Sequence, residues 1–342
     1  DTWRALAARV FTGAPTLDKD NAQANFYALC RRANEYRNGA RLLSGNGDED
    51  VRVFVMAAVK HSGWMLAWAS APLKKDFDIV LAAVTNDGEA LRHADDSLKK
   101  NREIVLAAVK ENGQELKHAD EDLKKDHKIV MAAVTQNGMA LEYADEDLKK
   151  DREIVMAAVR QNGGALMYAS ALLRKNREIV LAAVTKYGNI LLMQDAYTFK
   201  NDREIVLAAV TQSGDVLMYM SAPFRKDHEI VLAAVTQNGS VLDYAGPLLK
   251  RDPEIVLAAV KQSGWALNYA DEDLKKDREI VLAAVTRNGQ ALYYADDSLK
   301  NDPAIVLAAV KQDSHALRYA DASLQNDPAI VLAAATAVAA AI

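Results

Sequence analysis

The sequence predicts an all-α protein, an α-solenoid of stacked helix-turn-helix repeats of about 25 residues, on three observations. A block of the form DxEIVLAAVxxxGxALxYADxxLKK recurs from about Val51 to the C-terminus. Ten glycines form a ladder: Gly63, Gly88, Gly113, Gly138, Gly163, Gly188, Gly214, Gly239, Gly264 and Gly289. Their spacing is 25 residues except for one step of 26, between Gly188 and Gly214, and Ser314 takes the next rung. Finally, each block opens on a helix-capping residue and breaks at its glycine, so the punctuation recurs with the apolar pattern.

Residues 1–50 lack the consensus. Asn25 to Arg37 still reads as a helix, and GARLL at Gly39 echoes the GxAL segment 24 residues before Gly63. The expectation is an N-terminal helical cap or degenerate repeat over 1–50, followed by a tandem-repeat solenoid over 51–342. A cap of this kind covers the apolar face that a stack of repeats leaves open at its end.

Asp252 to Lys276 serves as the type repeat. Asp252 suits an N-cap, its carboxylate accepting the free amides of the first turn. Pro253 fits the first helical position, where an N–H is not needed, and Glu254 complements the positive end of the helix dipole. Asp76, Asn101, Asp126, Asp151, Asn176, Asp202, Asp227 and Asp277 take the cap position elsewhere. The helix should run for about eleven residues, to Gly264, which is expected to adopt a left-handed C-terminal conformation. A buried strand over Ile255 to Val260 is disfavoured by the cap-proline start, the glycine stop and Ala258-Ala259 in the middle. The leucine-rich-repeat pattern, which shares the period, is missing. A helix this apolar must be covered on both flanks, as stacked neighbours would do.

A second, shorter helix is expected over Trp265 to Ala270, with Leu267 and Tyr269 at positions that are apolar or aromatic in most repeats. Asp271 then caps a single turn, DEDLKK, in which Leu274 should plug the layer beneath. Six residues do not sustain a helix alone, because nucleation is costly, so its stability must come from the stack.

Units such as DREIVLAAVTRNGQALYYADDSLKND, from Asp277, resemble a short repeat family catalogued only as a domain of unknown function. That family is abundant in single-celled eukaryotes and algae and occurs in some intracellular bacteria. The likeness runs from about Asp50 to the C-terminus, with cap, apolar core, glycine and Tyr-Ala in fixed order. It implies an α-helical repeat and carries over no catalytic residues.

AAV cores from Ala57-Ala58-Val59 to Ala308-Ala309-Val310 number eleven, and Ala333-Ala334-Ala335 marks an incomplete twelfth unit. At roughly 8–10 Å between packed helices, twelve layers would extend for about 100 Å. The run PAIVLAAATAVAAAI, residues 328–342, holds no charge. Such an end is expected either to meet further chain or to dock against another subunit of a larger assembly. The one-residue insertion falls in NILLMQDAYTFKND, where Met193-Gln194 replaces Tyr-Ala and Tyr197 and Phe199 are added. It reads as drift in a surface turn or as a local docking point.

The 342 residues carry a formal charge of −5, with both signs alternating inside every unit, so no face seeks a polyanion. The single Cys30 excludes an internal disulfide and fits a reducing, intracellular setting. Cytoplasm and an organelle interior reached by transit-peptide removal are both compatible with it. No apolar run reaches the roughly 18 residues of a membrane span.

Phosphate loops, HExxH, paired CxxC and GxSxG motifs are missing, so neither catalysis nor a cofactor is expected. His93 and His118 occupy the Tyr position of adjacent repeats and read as polar replacements in an aromatic stack, without the further ligands of a metal site. His127 and His228 follow helix caps and should be solvated. The acidic turns, such as Asp120-Glu121-Asp122 and Asp271-Glu272-Asp273, lack the glycine and distal glutamate of a calcium loop. Each leads into a lysine pair, giving acidic and basic ridges that neutralise one another at short range.

Positions that vary between repeats mark where a partner could be met. Two stand out, one and four residues after the glycine, three apart and so on one face. From them and from the insertion come the candidate partner-binding residues Met139, Met167, Leu192, Tyr197, Phe199, Met218, Trp265 and Tyr293. The function expected is a non-catalytic protein-interaction scaffold or a structural subunit. The alternative is a nucleic-acid-binding repeat protein reading bases through pairs such as Gln114/Lys117; negative charge and the lack of a basic groove oppose it.

Overall fold

Capping, apolar burial and a tight second segment build the same layer again and again in the computed structural model, which describes residues 47–341. The expected N-terminal cap up to Asn46, with its helix over 25–37 and Cys30, lies outside the described residues. The fold is an all-α solenoid of repeats, with no strand among the described residues. The chain divides into two units, Asp1–Leu173 and Arg174–Ile342.

In the first unit the long helices are Gly47–His61, Phe77–Asn86, Arg102–Glu111, His127–Gln136 and Arg152–Gln161. The second unit holds Arg177–Lys186, Arg203–Gln212, His228–Gln237, Pro253–Gln262, Arg278–Arg287, Pro303–Gln312 and Pro328–Ala341. Within each unit every long helix packs on the one before and the one after it. The caps act as the residue types require. The Asp252 carboxylate accepts the amides of Glu254 and Ile255 at 2.9 and 3.3 Å, and Asn101 takes those of Glu103 and Ile104 at 3.0 and 3.2 Å.

In the type repeat Ile255, Val256, Ala259 and Val260 are fully buried, whereas Leu257 and Ala258 stay half-exposed. Neighbouring helices therefore cover two flanks, as expected, but a third side stays open. Burying each Ile or Val removes it from water for about 1.5–3 kcal/mol, the largest favourable contribution in a layer.

The second segment is not an α-helix. Gly264–Tyr269 is a six-residue 3-10 helix, with bonds such as Ala266 N–H to Ser263 O at 2.9 Å and Ala270 N–H to Leu267 O at 3.2 Å. At three residues per turn, positions i and i+3 eclipse. This creates three rows: Gly264 and Leu267, both buried; Ala266, buried, with Tyr269, half-buried; and Trp265 with Asn268, both exposed. The tighter winding brings two rows inward within six residues. A short turn, Leu274–Lys276, closes the repeat with Leu274 half-buried.

The role expected of the ladder glycine also changes. The chain leaves the long helix through an extended Ser263, at φ −141° and ψ 109°, and Gly264 does not take a left-handed conformation. The glycine is needed for close approach instead. A Cβ there would lie 2.5 Å from the carbonyl oxygen of Ala284 and 2.9 Å from Asn288 Cβ, both in the next repeat. Gly88 would meet the Ala108 carbonyl at 2.7 Å.

That approach lets a glutamine clasp two layers. Gln262 Oε1 accepts the N–H of Gly239 in the preceding repeat at 2.7 Å, and its Nε2 donates to Gln237 O at 3.1 Å. Gln161 does the same with Gly138 and Gln136, at 2.6 and 3.3 Å. Backbone rungs add to it, from Asp271 N–H to Lys250 O at 2.9 Å and from Asp120 N–H to Lys99 O at 3.1 Å. Gln262→Ala leaves a buried glycine amide without its acceptor and should cost about 1–2 kcal/mol. Amide exchange of Gly239, compared between wild type and variant, checks this; unchanged protection would remove the clasp from the account.

Candidate interaction surface

The exposed row of the 3-10 segments carries the residues that vary between repeats. Because i and i+3 eclipse there, the two variable positions of one repeat stand side by side and form a short ridge. In the first unit Met139 is half-buried and Met167 exposed. In the second unit Leu192 and Met218 are half-buried, while Trp265 is 41% and Tyr293 56% exposed. Tyr197 and Phe199, from the insertion, are half-buried.

The structure joins two of these eight into a continuous feature. Trp265 meets Tyr294 of the next repeat edge-on, with centroids 5.8 Å apart. Tyr294 meets Tyr293 at 5.0 Å, and Tyr293 meets Tyr319 of the following repeat at 5.1 Å, both T-shaped. The Arg318 guanidinium lies over the Tyr319 ring, 4.6 Å from its centroid. Edge-to-face contacts hold such rings at about 0.5–1.5 kcal/mol each beyond burial, so the string is a preorganised surface. Sequence reasoning took Tyr294 and Tyr319 for frame residues; the Tyr-Tyr doublet at 293–294 was the available signal.

Around the insertion, the 3-10 segment shortens to Gly188–Leu192 and a second one, Ala196–Phe199, follows. Ala196 is buried, Asp195 accepts from Arg174 Nε at 2.7 Å, and the Tyr197 hydroxyl donates to Tyr219 O at 3.3 Å. The extra residue is thus absorbed by a tied-down turn, and Tyr197 is engaged with the neighbouring repeat. Two exposed apolar residues escaped notice: Leu172 and Leu248, each 80% exposed. Both stand where other repeats place Asp122, Asp147 or Asp273, which is the signal that could have found them.

Charge in the turns is internally paired. Lys124 Nζ lies 2.7 Å from Glu121, and Lys149 and Lys275 lie 2.8 Å from Glu146 and Glu272. Exposed pairs of this kind contribute little to stability, but they neutralise the ridges locally. His93 and His118 are both half-buried in the aromatic row, and burial, reinforced by Arg92 and Lys117 respectively, holds each imidazole below its ordinary range. The two take different partners. His93 Nε2 accepts from Arg92 Nε at 2.9 Å, whereas His118 Nε2 lies 3.7 Å from Glu115 Oε2.

Glu115 is the residue sequence reasoning missed. It occupies the inner row, where other repeats place Ala90 or Ala140, and it is 1% exposed. Asn112 Nδ2 donates to its Oε1 at 3.2 Å, Lys117 Nζ lies 3.6 Å away, and Oε2 has no hydrogen-bond partner. Burial raises its carboxyl above the ordinary carboxylate range, partly offset by Lys117. A glutamate in an alanine row was visible in the sequence as a broken consensus.

Among the described residues no helix is long and apolar enough to cross a membrane. On the final helix, Pro328–Ala341, Val331 and Leu332 are exposed, whereas the corresponding Val306 is fully buried. Nine stretches of the chain, residues 54–99, 101–149, 151–196, 192–225, 202–250, 227–275, 252–300, 277–325 and 302–336, match a family described as Domain of unknown function (DUF4116). No curated protein and no solved structure matches the chain.

Proposed function

Because the chain belongs to this DUF4116 family of tandem repeats, we propose that it is a non-catalytic scaffold for protein partners, acting as a structural or linker subunit of a larger intracellular assembly. The observation that carries this reading is the aromatic string of the second unit, Trp265–Tyr294–Tyr293–Tyr319. Two of its large rigid rings, Trp265 and Tyr293, stand exposed at positions where the frame demands no particular side chain, held by the half-buried Tyr294 and Tyr319. Aromatic residues of this kind anchor protein interfaces, since they bury much area at small conformational cost. The exposed Met167 and the half-buried Met139 and Met218 add adaptable apolar surface along the same row of their repeats. The exposed Val331 and Leu332 of the last helix supply a second contact for a partner subunit.

The test is affinity recovery of partners from the native source with the full chain and with Trp265→Ala/Tyr293→Ala. Both side chains are largely outside the buried rows, so the variant should keep its helical circular dichroism while losing most of the recovered partner. Recovery at wild-type level would overturn the reading. So would tight, salt-sensitive binding of random single-stranded oligonucleotides, which the alternating charges do not favour.

A further inference from the structure

In the second unit the long helices Arg177–Lys186, Arg203–Gln212 and Arg278–Arg287 open on an arginine that reaches into the next repeat. Arg177 bonds the Asp202 carboxylate at 2.6 Å and Glu204 at 2.6 Å. Arg203 repeats this with Asp227 at 2.9 Å and Glu229 at 2.6 Å. Hydrogen bonding to these arginines holds the Asp202 and Asp227 carboxyls below the usual range. Each of these two junctions, at Arg177 and Arg203, therefore places a permanent cation between an N-cap aspartate and a glutamate two residues on.

At the following junction the two carboxylates remain but the cation changes. His228 stands in the arginine position, with Nε2 at 3.3 Å from Asp252 Oδ2 and 3.7 Å from Glu254 Oε2. Asp252 Oδ1 is occupied by the capping amides, which turns Oδ2 toward the imidazole. The three donor atoms lie within 4.8 Å of one another, and among the described residues this is the set of three that gathers so closely. At the other histidine junction, His127 Nε2 is 3.9 Å from Asp151 Oδ2.

From this geometry we infer that His228, Asp252 and Glu254 form a binding site for a divalent transition-metal ion, independently of the scaffold reading. Two ligands at about 2.1 Å from a tetrahedral zinc stand about 3.4 Å apart. The two histidine–carboxylate separations of 3.3 and 3.7 Å lie close to that bite, and the two carboxylate oxygens stand within 4.8 Å of one another. One imidazole nitrogen with two carboxylates suits zinc, cobalt or nickel rather than calcium or magnesium. The ion supplies the positive charge that Arg177 and Arg203 provide between the corresponding carboxylates at their junctions. His228 and Glu254 are exposed, so the ion enters from solvent and water completes its coordination. Because the ligands come from two adjacent repeats, binding ties helix His228–Gln237 to helix Pro253–Gln262.

Titration of the full chain with zinc(II) alone, followed by calorimetry, tests this, with the visible spectrum of added cobalt(II) as a second readout. Wild type should bind zinc and melt at a higher temperature with it. His228→Arg restores the pairing seen at Arg203; it should stay folded, lose at least tenfold in zinc affinity and lose the cobalt band. Glu254→Gln should weaken binding, while His127→Arg should leave it unchanged. The site is overturned if wild type binds no zinc, leaving an ion pair only, or if His228→Arg binds zinc as wild type does.

Discussion

Gly264→Ala is expected to destabilise the second unit by about 3 kcal/mol or more, although alanine usually strengthens a helical segment. The added methyl would sit 2.5 Å from the Ala284 carbonyl oxygen, a backbone atom with no flexible end to move aside. The layers must separate, and the buried rows on both sides then lose contact together. A lower urea midpoint and faster amide exchange in the Asp252–Lys276 repeat measure the effect. Gly164→Ala is the internal control. Gly164 is outside the ladder and half-exposed, and a Cβ there meets Asn162 Oδ1 at 3.1 Å and Met139 Sδ at 3.7 Å. That change should stay within about 1 kcal/mol of wild type. Equal losses in the two variants would refute close approach as the reason for the ladder.

Glu115→Ala should act in the opposite direction, stabilising the first unit by about 1–3 kcal/mol at neutral pH. Alanine already fills this row at Ala90 and Ala140, both fully buried, so no foreign shape is introduced. The gain should depend on pH with a definite sign. Burial raises the folded-state value of Glu115 above that of the unfolded chain. Below about pH 4 the carboxyl is protonated in both states and imposes no charge penalty. The penalty grows as pH rises from there through the raised folded value, and above that it is complete. The advantage of Glu115→Ala should therefore widen from acid to neutral pH, as read from urea midpoints across that range. A destabilised variant, or a gain that does not change with pH, would show that Lys117, His118 and Asn112 fully compensate the buried charge.

Much of the architecture was legible because repetition multiplies weak local signals. Asp252, Pro253 and the Ile255–Val260 core specify a capped apolar helix once, and the same message recurs in every layer. Contacts between layers were harder to read. A glycine after a helix suggests a left-handed stop, yet Gly264 serves the carbonyl of a residue twenty positions later, and only a neighbour in space reveals that. The glutamine two positions before the glycine rung recurs at Gln136, Gln161, Gln262 and Gln312, but its bonds run backward across a layer and leave no local pattern. The candidate surface was legible in the variable positions. Their assembly was not: Trp265 and Tyr293 are linked through Tyr294, a residue of the mostly tyrosine row of the frame.

The clasp also bears on how the chain ages. Asn137-Gly138 and Asn238-Gly239 are Asn-Gly pairs, the dipeptide in which the glycine nitrogen most readily attacks the asparagine side chain to form a cyclic imide. That nitrogen is withheld here, because Gly138 N–H donates to Gln161 Oε1 at 2.6 Å and Gly239 N–H to Gln262 Oε1 at 2.7 Å. The side-chain oxygens of Asn137 and Asn238 are held as well, each accepting the amide two residues on at 3.0 Å. A contact that joins two layers thus shields the covalent backbone against deamidation at its most vulnerable dipeptide, for as long as those layers stay closed.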